Sequence, residues 1–470
     1  MLDADSCYAA LRARDPRFDG RFFVAVTSTG IYCRPICPAR TPRADRCRFY
    51  PHAAAAEQAG FRACLRCRPE LAPGLRLAPV DARSRLTAAA LARIDAGALD
   101  DDGSVESLAE ALGVSDRHLR RTLVAALGVG PLELAATRRL ALAKQLLHDS
   151  DLDLATVAFA SGFASVRRFN AAFAERFGRP PSAIRRELGG KRAGAGPEAA
   201  TIRLRLDLRP PFAWEPLLAF LRARAIPGVE VVDDRSYRRL VDLAGCVGTL
   251  TVEHDPARPC LRVVASPALA PILADLVRRL RRLFDLDAEP AVIDAHLGRD
   301  PLLAPRIAAL PGLRVPGCFD GFEGLIRTVL GQQVSIAAAR TLSGRLVERL
   351  GGQGFPSAAS IAAASIDELA AIGLPRARAS TLRALARACA EGQLDPEGHD
   401  PERTLELLAT IPGVGPWTRG YAALRVLHLP DTFPEGDAVL RKLIPGSAAP
   451  EAWRPFRAYA AQHLWTSPQP

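Results

Sequence analysis

"LLATIPGVGPWTRGYAALR", residues 407–425, is the stretch on which the reading of the fold turns. Apolar residues at helical spacing run up to Thr410, a Pro-Gly-Val-Gly turn follows, and a second helical pattern opens at Pro416. Gly413 and Gly415 permit a tight turn whose backbone N–H groups, with the helix N-terminus behind them, can cradle a phosphate. Carbonyls of such a turn can also reach a monovalent cation. This helix–hairpin–helix pattern alone predicts sequence-independent DNA contact and no chemistry. "DTFPEGDAVLRK" (431–442) then sets Asp437 shortly after the hairpin, at the start of a new helix, where an aspartate is ordinarily a cap.

Upstream of the hairpin the hydrophobic period changes. "TIRLRLDL" (201–208) alternates apolar and polar residues, as a half-buried strand does. "VEVVDDRSYRRLVDL" (229–243), "GTLTVEH" (248–254) and "CLRVVAS" (260–266) continue as antiparallel strands, the last two joined by "DPARP". Helices return from about 268 and persist to the end. Two Pro/Gly-punctuated stretches, 71–84 and 189–200, read as joints.

The formal net charge of +11 over 470 residues favours an acidic partner, nucleic acid first, although only three lysines show that an arginine-rich composition supplies part of it. The N-terminus has no secretory or transit pattern, and no apolar run reaches the roughly 18 residues of a membrane span. A soluble, cytoplasmic protein with no membrane partner is expected. Ten cysteines in a reducing compartment do not form a disulfide framework. Cys33-x3-Cys37 and Cys64-x2-Cys67 have the two-knuckle spacing of a closed tetrahedral site and suit one Zn2+. Cys7, Cys47, Cys246, Cys260, Cys318 and Cys389 are scattered and read as small core residues. A four-thiolate zinc site carries net charge −2, so its sulfurs are electron-rich. Arg34, Arg40, Arg43, Arg46 and Arg48 surround the first knuckle and are expected to steer it onto phosphate.

Between the joints, "SLAEALGVSDRHLRRTLVAALG" (107–128) has a helix–glycine–helix shape, with Gly113 in the turn and Ser115 as the next cap. Arg117, His118, Arg120 and Arg121 occupy the second helix. "ATVAFASGFASVRRFNAAFAERFG" (155–178) repeats the arrangement with Gly162, Ser165, Arg167, Arg168 and Asn170. Two copies read as a double helix-turn-helix that can enter successive major grooves.

Three family resemblances follow from these residues. "FFVAVTSTGIYCRPICPAR" (22–40) with "FYPHAAAAEQAGFRACLRC" (49–67) resembles the N-terminal domain of the Ada response proteins over about residues 3–75. That resemblance implies zinc on Cys33, Cys37, Cys64 and Cys67, with Cys33 as acceptor of a methyl group from a DNA methylphosphotriester. The helical middle, closed by "FGRPPSAIRREL" (177–188), is similar to the AraC-type DNA-binding domain. Residues 201–467 resemble the AlkA-type 3-methyladenine DNA glycosylases, through "PPFAWEPLLAFLRARA" (210–225), "VLGQQVSIAAARTL" (329–342), the hairpin and "YAAQHLWT" (459–466). That likeness implies Asp437 as the catalytic carboxylate and Phe220, Trp417, Tyr421 and Trp465 as the lining of a base pocket with Gln332 at its edge. Gln333 takes the wedge position, where an apolar residue is usual.

The expected fold class is multidomain and mainly α. A small zinc-bound α+β domain covers 1–76, an AraC-type double helix-turn-helix 85–188 and a linker 189–200. A small antiparallel α+β domain covers 201–290, and a helix–hairpin–helix glycosylase domain 291–470. The expected function is DNA alkylation repair: a monofunctional DNA-3-methyladenine glycosylase II fused to a methylphosphotriester-sensing transcriptional regulator with stoichiometric methyltransferase activity. Partners would be double-stranded DNA and, for an activator, RNA polymerase; a monomer is expected. The rival is a DNA-binding regulator with a structural zinc and a catalytically silent C-terminal half.

Overall fold

A computed structural model of the chain describes residues 3–74, 82–100, 103–150, 152–189, 201–444 and 451–466. Most of the expected linker 189–200, from residue 190 on, lies outside the described residues, as does 75–81 within the other joint. The chain forms two compact units, residues 1–210 with 255–278, and residues 211–254 with 279–470. The expected multidomain, mainly helical class holds. The segment expected as one small domain, 201–290, contributes strands to both units.

The first unit begins with a four-stranded sheet. Strand β1 (Phe23–Val26) and β2 (Ile31–Cys33) form a hairpin, closed where Gly30 takes a φ of +64° that an L side chain rarely adopts. Strand β3 (Cys47–Tyr50) pairs antiparallel with β1, whereas β4 (Arg62–Ala63) runs parallel to β2. That one parallel pairing sets Ile31 opposite Arg62 and Tyr32 opposite Ala63, so the next residues in register are Cys33 and Cys64.

Seven helices follow among the described residues, from Ala82–Asp95 to Pro181–Gly189. The 19-residue helix Pro131–Asp149 separates two short helix pairs, Val105–Ala111 with Asp116–Leu127, and Leu154–Ala160 with Val166–Phe177. Ser115 and Ser165 cap the second helix of each pair by accepting from the N–H of His118 and Arg168, a contribution of about 1 kcal/mol each. Phe163, Phe169, Phe173 and Phe177 meet in succession, ring against tilted or edge-on ring, in the second pair. The unit also contains β5 (Ile202–Asp207), paired antiparallel with residues 260–265.

In the second unit the stretch 229–243 is two strands, β6 (Glu230–Val232) and β7 (Ser236–Leu243). They are split because the Asp233 carboxylate accepts from the backbone N–H of Arg235 and Ser236 and closes a turn. Strand β8 (Cys246–Asp255) pairs along the whole of β7. Beside these strands the helices build two apolar cores, one around Leu325, Leu346 and Leu382, the other around Leu424, Trp453 and Tyr459.

A buried charge network ties β6 and β7 to the helix Gly321–Leu330. Arg239 pairs with both Glu230 and Glu323, Tyr237 donates to Glu230 at 2.7 Å, and Arg327 reaches Glu230 at 3.2 Å and Glu323 at 3.0 Å. Arg327 also donates to the backbone carbonyl of Arg224 at 2.7 Å, which fixes the end of the helix carrying Phe220. Burial raises the Glu323 carboxyl, but Arg239 and Arg327 together hold it below its usual value. Its contribution is therefore complete above the unfolded-state pKa and is lost as pH falls through the folded-state one.

All four tryptophans, Trp214, Trp417, Trp453 and Trp465, lie in the second unit, so indole fluorescence reports its unfolding. Glu323→Gln should lower the stability of that transition in urea by about 3–5 kcal/mol, because Arg239 keeps its charge and loses a partner. An unchanged midpoint would show that the network adds nothing to stability.

Candidate functional site

The parallel register of β2 and β4 places Cys33 and Cys64 side by side, and the turns after them return Cys37 and Cys67 to the same point. All four Sγ atoms lie within 4.8 Å of one another, and all four residues are buried. Zn–S bonds of 2.3 Å in a tetrahedron need sulfur–sulfur edges of about 3.8 Å, so the cluster fits one zinc ion with small adjustment. The backbone N–H of Arg34 donates to Cys67 Sγ at 3.4 Å, a contact that favours a thiolate.

Arg34 does not serve as a phosphate contact. Its side chain is 1% exposed and clamped between Asp19 and Asp207, the latter at 2.7 Å on β5. It also donates to the carbonyl of Cys67 at 3.2 Å. The guanidinium thus braces the zinc loop from behind. Burial raises the Asp207 carboxyl, and Arg205 and Arg34 outweigh it and hold it low. Sequence reading missed this because Asp207 is 173 residues from its partner and looks like one charge in an alternating strand. Arg40, Arg43, Arg46 and Arg48 are exposed beside the knuckle. Arg43 and Arg46 share only the exposed Asp45. Of the scattered cysteines, Cys7, Cys260 and Cys318 are buried, and Cys47, Cys246 and Cys389 are half-buried.

On the two helices that follow the helix-turn-helix turns, Arg117, His118, Arg120, Arg121, Arg167, Arg168 and Asn170 are all exposed. Their apolar neighbours Leu119, Leu123, Phe169 and Phe173 are buried beneath them. Each helix therefore presents a basic outer face on a fixed base. Gly113 and Gly162 take φ of +67° and +84° in the two turns.

In the second unit the hairpin joins the helices Pro401–Thr410 and Pro416–Arg425. Gly413 has φ +87°, and a Cβ there would meet Thr381 Oγ1 at 2.2 Å, so only glycine fits. Gly415 has an ordinary φ of −86° and open space around it. Its lack of a side chain leaves the first-turn N–H groups approachable. Two hairpin carbonyls already accept side-chain bonds, Pro412 from Thr381 and Gly413 from Gln332, both at 2.9 Å. Gln332 donates to Thr418 Oγ1 as well. Its amide therefore locks the helix Gly321–Leu330 to the hairpin. Gln333 is exposed and has φ +53°, a strained conformation outside glycine. Val334 and Ile336 beside it are exposed apolar residues that the sequence reading did not single out.

Asp437 lies three residues ahead of the helix Leu440–Leu443 rather than within it, and its Oδ1 accepts from the N–H of Val439 and Leu440. Two indoles grip the same carboxylate: Trp465 Nε1 donates to Oδ1 at 3.1 Å and Trp417 Nε1 to Oδ2 at 3.2 Å. Oδ1 thus has three donors and Oδ2 one, which leaves Oδ2 the oxygen with room for a further partner. Trp417 stacks on Tyr421 at 5.1 Å and 20°, and Tyr421 meets Trp465 at 6.2 Å. Phe220 reaches this set through Arg425, whose guanidinium carbon is 4.5 Å from the Phe220 ring and 5.3 Å from the Trp465 ring. Arg425 and Arg224, which also covers Phe220 at 3.8 Å, were not anticipated. An arginine at helical spacing after an aromatic reads as a solvated charge, and no local pattern marks it as buried.

Comparison with known proteins gives the following. Four family models match: the metal binding domain of Ada over residues 6–70, a helix-turn-helix domain over 108–187, the AlkA N-terminal domain over 203–320, and the HhH-GPD superfamily of base excision DNA repair proteins over 326–452. The chain is 41% identical over 492 residues to a probable bifunctional transcriptional activator/DNA repair enzyme AlkA of Mycobacterium tuberculosis, covering 99% of this chain and 96% of that one. It is 37% identical over 275 residues to DNA-3-methyladenine glycosylase 2 of Escherichia coli, covering 55% of this chain and 95% of that one. It is also 37% identical over 134 residues to the bifunctional transcriptional activator/DNA repair enzyme Ada of Escherichia coli, covering 28% of this chain and 34% of that one.

The two kinds of arginine at the zinc knuckle separate by experiment. Arg34→Met should lower zinc retention in elemental analysis from one ion per chain, because buried Asp19 loses its counter-charge beside the loop and Asp207 keeps only Arg205. Arg43→Ser should keep zinc and flatten the salt dependence of DNA affinity by about one counterion. Full zinc retention in Arg34→Met would show that the brace does not support the site.

Proposed function

This chain belongs to the family of AlkA-type bifunctional transcriptional activator/DNA repair enzymes, and on that footing we propose that it repairs alkylated DNA in two ways. The C-terminal half excises 3-methyladenine and other N3- or N7-alkylated purines as a DNA-3-methyladenine glycosylase. The N-terminal parts bind zinc and DNA, sense methylated backbone phosphates and regulate transcription. We keep the functional division at the boundaries expected from the sequence, with RNA polymerase as the activator's partner and a monovalent cation at the hairpin. No described helix is long and apolar enough to cross a membrane.

The observation that carries the glycosylase reading is the Asp437 carboxylate held by two indoles at the edge of stacked aromatic rings. An N3- or N7-alkylated purine is a cation and already a good leaving group. As the C1′–N bond breaks, its electron pair goes to the base and the positive charge passes to the sugar. Asp437 Oδ2 faces that charge, orients the water that attacks C1′ and accepts the proton that this water gives up. The aromatic faces hold the flipped base, at about 0.5–2 kcal/mol per cation–π contact. Gln332 acts at the pocket edge by holding the hairpin against it. Gln333, with exposed Val334 and Ile336, fills the gap in the duplex, its strained backbone aiming the tip. Residues 411–425 include no lysine, consistent with hydrolysis and no strand cleavage.

For the zinc-bearing part, Cys33 Sγ attacks the methyl carbon of a methylphosphotriester. The C–O bond breaks, a thioether forms, and the phosphodiester leaves as an anion. Cys33, Cys37, Cys64 and Cys67 would hold the zinc ion, which when bound would keep their sulfurs deprotonated at neutral pH. The four cysteines differ little in exposure, 6–8%, so the choice of Cys33 rests on the family resemblance. Methylation takes the site from −2 to −1 and reduces its repulsion from DNA. The exposed residues of both recognition helices then contact a promoter.

Two outcomes are expected. Asp437→Asn should slow free-base release from methylated DNA by about 100- to 1000-fold in single-turnover chromatography. An asparagine can still cap Val439 and Leu440, but turns an NH2 toward one indole N–H. Wild-type excision by this variant would remove the catalytic role of Asp437. No base release by the wild-type chain would favour the regulator with a silent C-terminal half. Peptide mapping after exposure to methylphosphotriester DNA should place one methyl group on Cys33. A methyl group on Cys37 instead would overturn that assignment.

A further inference from the structure

A pocket expected to hold a cationic base already contains a cation. Arg425 is 5% exposed, and its guanidinium carbon lies 4.5 Å from the ring of Phe220, 5.7 Å from Tyr421 and 5.3 Å from Trp465. Its hydrogen bonds go to neutral acceptors, the carbonyl of Pro316 at 3.0 Å and Gln462 Oε1 at 2.7 Å. Its Nε is buried and has no hydrogen-bond partner among the described residues. Arg224 stands 3.8 Å over Phe220 and donates to the Phe220 carbonyl at 3.3 Å. Burial lowers Arg425 to about 10, which still leaves it charged at neutral pH. Burial raises the Tyr421 phenol, and Arg425 and Arg224 more than offset that, as two positive charges near its hydroxyl would.

The rings connect these arginines to Asp437. Trp465 donates its N–H to the carboxylate and lies against Arg425. Trp417 donates to the same carboxylate and stacks on Tyr421, which in turn adjoins Arg425. The aromatic set thus has a negative end at Asp437 and a positive end at the arginines. A base held in it with its sugar toward Asp437 places its far edge toward Arg425.

We propose that Arg425, assisted by Arg224, polarises the pocket so that a base is released more readily than it is held, and so widens excision to neutral lesions. This rests on the glycosylase reading above. When the C1′–N bond breaks, the bonding pair passes to the base, which becomes one charge unit more negative while the sugar becomes one unit more positive. A cationic lesion leaves neutral, and its repulsion from Arg425 is relieved on the way. A neutral lesion leaves as an anion that later takes a proton, and Arg425 stabilises the developing charge. Both reactions gain in the chemical step. Binding behaves differently: the arginine opposes a cationic base in the ground state and leaves a neutral one unopposed.

That asymmetry gives a signature that loss of packing does not share. Single-turnover excision is measured with duplexes carrying 7-methylguanine, a cation, or hypoxanthine, which is neutral, across a range of enzyme concentrations. Arg425→Gln is expected to slow release of both bases by about tenfold or more. Its half-saturating concentration should fall for 7-methylguanine and not for hypoxanthine. Arg425→Lys, which keeps the charge, should restore the rate. Arg224→Gln, at a half-buried position, should shift both quantities in the same directions by less, and serves if Arg425→Gln does not fold. Unchanged rates, or equal losses on both duplexes without tighter binding of the cationic one, overturn the proposal. Absence of base release by the wild-type chain overturns the glycosylase reading instead.

Discussion

Two indole N–H groups and two backbone N–H groups converge on one carboxylate, and the arrangement of the second unit follows from keeping them there. Trp417 comes from the helix after the hairpin, Trp465 from the last described helix, and Val439 and Leu440 from the short turn between. Together these donors fix the direction of the Asp437 carboxylate. The hairpin must therefore stay in register with the last helix. Gln332 bolts one side of it and Thr381 the other, and Gly413 has no room for a side chain because Thr381 is there. The buried pairs of Glu230, Glu323, Arg239 and Arg327 hold the strand side and, through the Arg224 carbonyl, the end of the helix that bears Phe220.

The zinc centre is built by a comparable economy. One two-residue parallel pairing between β2 and β4 puts the first cysteine of each pair in register, and each short turn supplies the second. Four thiolates around one metal would repel DNA if unaided. Exposed arginines on the adjoining segment counter that at the surface, and Arg34 does its work inside, against Asp19 and Asp207. Position alone decides which arginine can meet a phosphate.

What was legible in the sequence was whatever has a short period or a fixed spacing. The cysteine pairs, the capped helix pairs around Gly113 and Gly162 and the Pro-Gly-Val-Gly turn are local, and the structure has each of these elements at the expected place. The position of Asp437 was legible too, although it caps the short helix from three residues away instead of opening it. Contacts between distant residues were not legible. Arg34 with Asp207, Arg425 among three aromatic rings and Arg239 between two glutamates each look like ordinary surface charges in the sequence. A buried arginine leaves no periodic trace, because its burial depends on partners supplied by other elements. The two-strand break at Asp233 was hidden for a related reason, since an aspartate that turns the chain and one that faces solvent share the same letter.

The central claim is that Asp437 presents its charge to a cation forming on the sugar, and it can be measured without any chemistry taking place. Two duplexes are compared by equilibrium binding, one with a protonated pyrrolidine in place of the damaged nucleotide's sugar and one with an uncharged tetrahydrofuran of the same shape. Binding of the cationic duplex about 100-fold more tightly than the neutral one is expected, as for a transition-state mimic. Equal affinity for the two would contradict the role given to Asp437 and to the indoles that hold it.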